Sequence, residues 1–210
     1  MRLLIAGAGG HGCVVADAAE SAAGAWDEIA FLDDRYPGLS KAGVWDIVGT
    51  LADLPRFTTR FDACVVAMAD ARLRLDLLER SAAAGFTIPV IAHPGSSISR
   101  HAVLGNGSFV AAGGVVNIGS EVGVGCIINT GATLDHDCRL GAAVHLCPGA
   151  HLAGGVTVGR RTWFGIGAVA RQGIKIGADV VVGAGAVCVA DVRDGVVVMG
   201  VPARERDSAQ

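Results

Sequence analysis

The second half of the chain carries an apolar side chain at every sixth position. From Ile98 onward, sixteen successive positions with this spacing hold no polar side chain other than a final thiol. A small or β-branched residue usually follows four places later, and glycine is frequent at the second and fourth places of each six. The sixteen positions are Ile98, Leu104, Val110, Val116, Val122, Ile128, Leu134, Leu140, Leu146, Leu152, Val158, Phe164, Ala170, Ile176, Val182 and Cys188.

A period of six residues predicts a parallel β-helix. It fits neither the 3.6-residue period of an α-helix nor the two-residue period of a strand, but it describes a short strand followed by a turn. Three such hexapeptides form one triangular coil, so the pattern predicts about five coils stacked along one axis. A prism of this kind has flat sides and open ends, which favours a cap and partner chains.

The first ninety residues show a different pattern, in which short apolar runs alternate with helical periodicity. We predict strands at 3–6, 28–32, 62–68 and 86–91, and helices from the Gly-rich turn to Ala23 and over 71–84. Alternating β and α elements favour a small parallel α/β sheet of the Rossmann-like type. The sequence therefore predicts an α/β domain at 1–91, a parallel β-helix at 92–205 and a tail at 206–210.

Composition and charge exclude several classes of protein. The 210 residues have a formal charge of −3, so the chain lacks the uniformly basic surface on which non-specific nucleic-acid binding depends. The uncharged stretch 102–120 holds five glycines among regularly spaced apolar residues, which fits the repeat rather than a membrane span. The first apolar run stops at Gly7, too early for a signal peptide, so we expect a cytoplasmic protein. Its six cysteines form no CxxC pair, and we expect them to be reduced and packed.

A glycine-rich turn follows the first predicted strand. Gly7, Gly9 and Gly12 satisfy the pattern GxGxxG, and Asp33 lies 21 residues beyond Gly12, where a ribose-binding acid is expected. A dinucleotide site needs two mononucleotide halves, however, and ninety residues supply only one. We therefore expect one nucleotide, with its phosphate at the helix N-terminus near His11. A tight turn without a ligand is the alternative.

The order of several short motifs carries a family resemblance. They are Gly9-Gly10-His11-Gly12, Phe31-Leu32-Asp33-Asp34, Ala92-His93-Pro94, Asn129-Thr130, Asp135-His136-Asp137 and Gly200-Val201-Pro202-Ala203-Arg204. Together they resemble the sialic acid O-acetyltransferase family of left-handed β-helix acyltransferases, and in particular its branch of nucleotide-sugar N-acetyltransferases such as the bacillosamine and perosamine enzymes. The resemblance spans about residues 2–205. It implies a left-handed β-helix and a homotrimer in which acetyl-CoA lies between neighbouring prisms.

The resemblance also implies roles for individual residues. The catalytic base of the family falls on His136, and the acid that raises its basicity falls on Asp137. The acetyl-CoA site matches His145, near the thioester, and the cleft positions Gly154, Ile166 and Ala184. The nucleotide-sugar site matches Gly9, Gly10, His11, Asp33, Asp34 and Ala69. The segment Ala69-Asp70-Ala71 departs from the Gly-Asp-Asn type that is usual in the family.

Residues 135–137 are suited to general-base chemistry in their own right. His136 is third in its hexapeptide, a position that faces a prism wall rather than the core. A neutral imidazole accepts a proton near pH 7, and a carboxylate on its other nitrogen fixes the tautomer and raises its pKa. We therefore expect a sugar amine to attack the thioester of acetyl-CoA directly, while His136 removes the proton of the amine.

Three alternatives remain open from the sequence. The first is a sugar O-acetyltransferase, in which the acetyl acceptor is a hydroxyl group and the base is the same. The γ-type carbonic anhydrases resemble this fold and bind a metal through histidines shared across a trimer interface, although their prism lacks an N-terminal nucleotide-binding domain. A non-catalytic sugar-nucleotide sensor is the third. We expect no metal within one chain, because Cys138, His145 and Cys147 lie on diverging faces of the prism.

Overall fold

The chain folds into two compact units. The computed structural model describes residues 1–206, and the units are Met1–Pro94 and a second one that begins at Gly95. The predicted tail lies outside the described residues except for Arg206. No helix within residues 1–206 has the length and apolar character needed to cross a membrane. None of the six cysteines is in a disulfide, and five are buried.

The first unit is a mostly parallel sheet with two α-helices. The strands of this sheet are β1 (Arg2–Ala6), β2 (Glu28–Leu32), β3 (Lys41–Ala42), β4 (Trp45–Gly49) and β5 (Ala63–Val66), and a short strand outside the sheet, β6 (Ile91–Ala92), follows. Its helices are α1 (Gly10–Ser21), α2 (Ala71–Ala84) and a 3₁₀ helix at Leu51–Phe57. The sheet order is β3-β4-β2-β1-β5, and only the β3–β4 pair is antiparallel. The Rossmann-like α/β architecture is thus confirmed.

Local sequence signals set the ends of α2. Asp70 caps its N-terminus, where the carboxylate accepts from the N–H groups of Arg72 at 2.9 Å and Leu73 at 2.8 Å. Gly85 closes the C-terminus in a left-handed conformation with φ of 103°. The helix therefore spans the predicted residues 71–84.

Two parts of the sequence prediction differ from the structure. The strand predicted at 86–91 is wrong over most of its length, since Thr87 forms an isolated bridge to Ala63 and the strand itself begins at Ile91. Pro89 has no N–H to donate to a ladder, which explains the interruption. The β3–β4 hairpin and the 3₁₀ helix were not predicted, because their short apolar runs carry no clear period.

The second unit is a left-handed β-helix with three flat faces, as predicted. In the regular coils each strand pairs in parallel with the strands eighteen residues away, so that Val115 pairs with both Ser97 and Thr133. The last strands differ, since Val197 pairs with Val181, sixteen residues away, and Val197–Met199 pairs with Arg204–Glu205 in the antiparallel sense. Face one consists of Ser97–Ile98, Val115–Val116, Thr133–Leu134, His151–Leu152, Val169–Ala170 and Val187–Cys188. Face two consists of Val103–Leu104, Glu121–Val122, Arg139–Leu140, Thr157–Val158 and Lys175–Ile176. Face three includes Phe109–Val110, Ile127–Ile128, His145–Leu146, Trp163–Phe164, Val181–Val182, Val197–Met199 and Arg204–Glu205.

The interior of the prism is filled by the periodic apolar residues. Fourteen of the sixteen predicted positions are buried, and Ile98 and Leu104 of the first coil are partly buried. Burial of a side chain of this size stabilises the fold by about 1.5–3 kcal/mol relative to exposure. The six-residue pattern therefore marks the core.

The fourth residue of the hexapeptides that begin at Leu104 through Val182 adopts a left-handed backbone conformation. φ is positive at every sixth residue from Gly107 to Gly185, and ten of these fourteen residues are glycine. The four exceptions are Asp137, Ala143, Arg161 and Asp179. Asp137 thus occupies a position where glycine would be less strained, which points to a use for its side chain.

Helix α1 packs directly on the end of β1 through Gly12. A Cβ placed on Gly12 would lie only 2.1 Å from the carbonyl oxygen of Gly7. This contact brings the glycine-rich turn and the first turn of the helix together, and no larger residue fits without a shift of the backbone.

We predict that Gly12→Ala lowers the free energy of unfolding by about 1–3 kcal/mol, because the added methyl group forces α1 away from β1. The matched control is Gly10→Ala in the same helix turn, where a Cβ would meet no heavy atom within 4 Å. Alanine favours a helix over glycine, so Gly10→Ala should keep or raise the melting temperature. Thermal unfolding measures both, and equal melting temperatures for the two variants would contradict the close contact.

Candidate active site

His136 and Asp137 form a hydrogen-bonded pair at a corner of the prism. They lie in the turn between Thr133–Leu134 on face one and Arg139–Leu140 on face two, with side chains that are 59% and 71% exposed. Nδ1 of His136 donates to Oδ2 of Asp137 over 2.8 Å, since an ionised carboxylate can only accept. The lone pair of the neutral ring is therefore on Nε2, where an incoming group can reach it.

The two neighbouring carboxylates make this imidazole more basic. The hydrogen bond to Asp137, followed by the charge of Asp135, raises the pKa of His136 above its ordinary value. Asp135 is itself fixed, because its Oδ1 accepts from the backbone N–H of His136 at 2.8 Å and from Nδ2 of Asn117 at 3.0 Å. The pair has the electronic character of a general base.

Glycines on the adjacent coils make room for the pair. A Cβ on Gly154, in the coil above, would lie 2.4 Å from Nε2 of His136. A Cβ on Gly119, in the coil below, would lie 2.3 Å from Oδ1 of Asp137. Both side chains therefore rest against bare backbone, which restricts where the imidazole and the carboxylate can point.

His145 lies in a separate groove on face three. The groove has a volume of about 420 Å³, and Trp163, Ile166 and Ala184 also line it. The ring of His145 is buried and meets Trp163 edge-on, with centroids 4.3 Å apart. Ile166 is 62% exposed, so this groove presents an apolar surface to an incoming molecule.

The hydrogen bonds around Asn129 define the tautomer of His145. Oδ1 of Asn129 accepts from the N–H of Thr130 at 2.8 Å, so the amide nitrogen faces His145. Nδ2 of Asn129 then donates to Nε2 of His145 over 3.2 Å. A neutral His145 therefore carries its proton on Nδ1, an atom that is itself buried.

The predicted catalytic and cofactor residues fall into two groups within one chain. His145, Ile166 and Ala184 share the face-three groove. Gly154 does not join them, because it lies against the ring of His136. The corner that carries His136 joins faces one and two, so it is the corner opposite face three.

The predicted nucleotide-sugar residues lie at the carboxyl ends of β1, β2 and β5 in the first unit. Asp33 holds the glycine-rich turn, since its Oδ2 accepts from the N–H of Ala8 at 2.9 Å and its Oδ1 accepts from Nε of Arg35 at 2.7 Å. The hydrogen bond from Arg35 keeps the pKa of Asp33 far below its ordinary value. Asp34 accepts from the N–H of Leu51 at 2.9 Å. Both carboxylates thus shape the turns around this edge of the sheet.

A buried guanidinium supports the same edge. Arg74 is fully buried, and its Nη1 donates to the carbonyl oxygens of Met68 at 2.5 Å and Ala69 at 3.0 Å. Burial, followed by the charge of Arg74, lowers the pKa of His11 to about 4. His11 is therefore a neutral imidazole at physiological pH. Gly9 and Gly10 leave open space beside it.

Sequence reasoning missed the residues that support these side chains. The eighteen-residue offset of the repeat would have identified them, because each residue in the column stacks on the residue eighteen positions earlier. The pairs are Asn117 with Asp135, Gly119 with Asp137, Ser120 with Cys138, and Trp163 with His145.

No metal site is evident in the part of the chain that the structure describes. Within residues 1–206, no three His, Cys, Asp or Glu side chains come together in a way that could hold a metal ion.

Comparisons with known proteins cover both units. The profile of the PglD N-terminal domain family matches residues 2–81. Over 185 residues the chain is 29% identical to GDP-perosamine N-acetyltransferase of Escherichia coli O157:H7, a match that covers 84% of this chain and 81% of the relative. The acetyltransferase domain of PglB from Neisseria gonorrhoeae, in complex with acetyl coenzyme A, is 42% identical with a TM-score of 0.94 over 98% of both chains. A variant of perosamine N-acetyltransferase from Caulobacter crescentus, in complex with CoA and GDP-perosamine, is 38% identical with a TM-score of 0.94 over 99% of this chain and 98% of that chain.

We predict that Asp137→Asn lowers the pKa of His136, because the amide removes the negative charge that stabilises the imidazolium. The pKa is measured by an NMR titration of the histidine ring signals, assigned with a His136→Gln variant. Asp135→Asn is the matched comparison and should lower the pKa less, since the hydrogen bond to Asp137 is the larger cause of the shift. A larger effect at Asp135 would contradict the geometry of the pair.

Proposed function

This chain belongs to the family of nucleotide-sugar N-acetyltransferases that join a PglD-type N-terminal domain to a left-handed β-helix, and we propose that it transfers the acetyl group of acetyl-CoA to the amine of a nucleotide-linked amino sugar. The chain is an acetyltransferase, as the sequence motifs indicated. The observation that carries the finer proposal is the exposed His136–Asp137 pair, in which the pKa of His136 is raised.

In the proposed reaction His136 is the general base. Nε2 of His136 takes a proton from the sugar amine as the nitrogen attacks the thioester carbonyl. The new C–N bond forms and the C–S bond breaks, so the products are the N-acetylated sugar and CoA, whose thiolate regains a proton. Asp137 stabilises the imidazolium while the proton is held there. Transfer is direct, without a covalent acetyl-enzyme.

We propose that the face-three groove binds acetyl-CoA. Its apolar lining at Ile166 and Ala184 suits the pantetheine arm, and His145, which lines the same groove, would lie near the thioester. Gly154 would lie near the reacting acetyl group, because it is beside the ring of His136. Use of acetyl-CoA is consistent with a cytoplasmic reaction.

The proposed site requires two copies of the chain. His136 and the face-three groove lie at a corner and on the face opposite to it, so one chain cannot bring both to the same acetyl group. In a homotrimer with three-fold symmetry, a corner of one prism meets a face of its neighbour three times. We propose that His136 of one chain acts on acetyl-CoA bound in the groove of the next.

The N-terminal unit is proposed to bind the nucleotide part of the substrate. The start of α1 at Gly10 and His11 offers backbone N–H groups to a phosphate. His11 is neutral, so its ring can donate or accept a hydrogen bond without adding a charge of its own. Gly9, Asp33, Asp34 and Ala69 are the remaining contacts that we propose at this edge.

We predict CoA thiol release from acetyl-CoA with at least one 4-amino sugar linked to UDP, GDP or dTDP. His136→Asn should lower kcat by roughly a hundredfold or more, because it removes the base. The limb of kcat/KM that rises with pH should move to lower pH in Asp137→Asn, following the lower pKa of the base. Acetylation of free or CMP-linked sialic acid, together with failure of every amino sugar, would overturn the proposal in favour of O-acetylation.

We predict that two inactive variants restore activity when they are assembled together. His136→Ala lacks the base, and Ala184→Trp fills the groove, so each alone should be inactive. Mixed trimers formed by coexpression contain some sites with an intact base and an intact groove, which gives roughly a quarter of the wild-type activity for random mixing. Activity that stays at the level of the separate variants would show that each site is confined to one chain.

A further inference from the structure

The turn that carries His136 is bound at both ends by one buried hydroxyl group. Oγ of Ser120, a fully buried residue one coil below, donates to the carbonyl oxygen of Asp135 over 2.8 Å. Oγ of Ser120 also accepts from the backbone N–H of Cys138 over 3.1 Å. These two hydrogen bonds span the four residues from Asp135 to Cys138, and His136 lies between their end points.

The backbone ladder adds two further bonds to this turn. The N–H of Asp137 donates to the carbonyl oxygen of Ile118 at 3.1 Å, and the N–H of Gly155 donates to that of His136 at 2.8 Å. The ladder is common to all coils, but the hydroxyl group of Ser120 is not. Where the equivalent residue is alanine, as at Ala132 and Ala150, the turn above lacks such a side-chain bond.

We propose that Ser120 is a positioning residue that fixes the His136–Asp137 pair in the orientation needed for acetyl transfer. The proposal rests on the function proposed above and adds a residue that touches neither the substrate nor the imidazole. Without the hydroxyl group, the carbonyl of Asp135 and the N–H of Cys138 lose their shared partner, and the turn relaxes. His136 then samples positions away from the bare backbone of Gly154, and its hydrogen bond to Asp137 weakens.

The chain contains a matched control for this arrangement. Oγ of Ser108 donates to the carbonyl oxygen of Gly123 over 2.8 Å and accepts from the N–H of Cys126 over 3.0 Å. Ser108 is 1% exposed and Ser120 is 0% exposed. The turn that Ser108 binds carries no side chain of the proposed site. Thr162 makes the same two bonds, at 2.7 Å to Gly177 and 3.1 Å to Val180, so threonine is accommodated at such positions.

The test compares Ser120→Ala with Ser108→Ala by melting temperature, steady-state kinetics and the NMR titration of His136 without substrates. Both variants should lose similar thermal stability. Only Ser120→Ala should lower kcat, by about ten- to a hundredfold, with little change in KM for acetyl-CoA or the nucleotide sugar, and only Ser120→Ala should lower the pKa of His136. Ser120→Thr should restore both quantities.

Each remaining outcome decides the role of Ser120. A pKa of His136 and a kcat that are the same in Ser120→Ala and Ser108→Ala would overturn the proposal. If Ser120→Ala does not fold, Ser120→Cys and Ser108→Cys replace the pair, because Cys126 and Cys138 show that a thiol is accommodated at equivalent positions. A thiol is a weaker donor than a hydroxyl group, so the same changes in kcat and in the pKa of His136 are expected in smaller size. If no acetyl acceptor is found for the wild type, the proposed function fails, whereas the titration still reports whether Ser120 fixes the His136–Asp137 pair.

Discussion

The parallel hydrogen-bond ladder of the β-helix is the constraint on which the rest of the second unit depends. Each turn is bound through its backbone to the turns eighteen residues before and after it, as Asp137 is bound to Ile118 and His136 to Gly155. A side chain at an exposed corner is thereby attached to a stiff backbone on two sides. This is how His136 remains accessible to solvent while its position is restricted by Gly154 and Asp137, a combination that a base on a free loop would lack.

The surroundings of two histidines give them opposite acid–base properties. His136 is exposed beside two carboxylates, which raise its pKa and favour proton uptake. His11 is partly buried near the guanidinium of Arg74, and its pKa falls to about 4. Burial and neighbouring charge, rather than residue type, therefore separate a side chain suited to proton transfer from one suited to neutral hydrogen bonding.

The sequence predicts most of this architecture because its strongest signals are periodic or local. The six-residue period identifies the β-helix and its core, and Asp70 with Gly85 marks the ends of α2. The His136–Asp137 contact follows from adjacency in the chain. By contrast, the separation of Gly154 from His145, Ile166 and Ala184 depends on which corner or face each one occupies. That information is present in the eighteen-residue offset, but it emerges only when positions are counted around the prism. The interruption at Pro89 and the β3–β4 hairpin depend on local pairing that no periodicity encodes.

The eighteen-residue stacking has a consequence for how such a chain tolerates insertions and deletions. Gain or loss of one complete coil leaves every later side chain on its original face and only changes the length of the column. Gain or loss of a single residue within a strand turns all later side chains relative to the axis, so that core positions become surface positions and the groove on face three is dismantled. Length variation in this family should therefore occur in whole coils or be confined to the corners. The coil between Asn117 and Asp135 is the one least free to be duplicated, because the two side chains hydrogen-bond to each other across it.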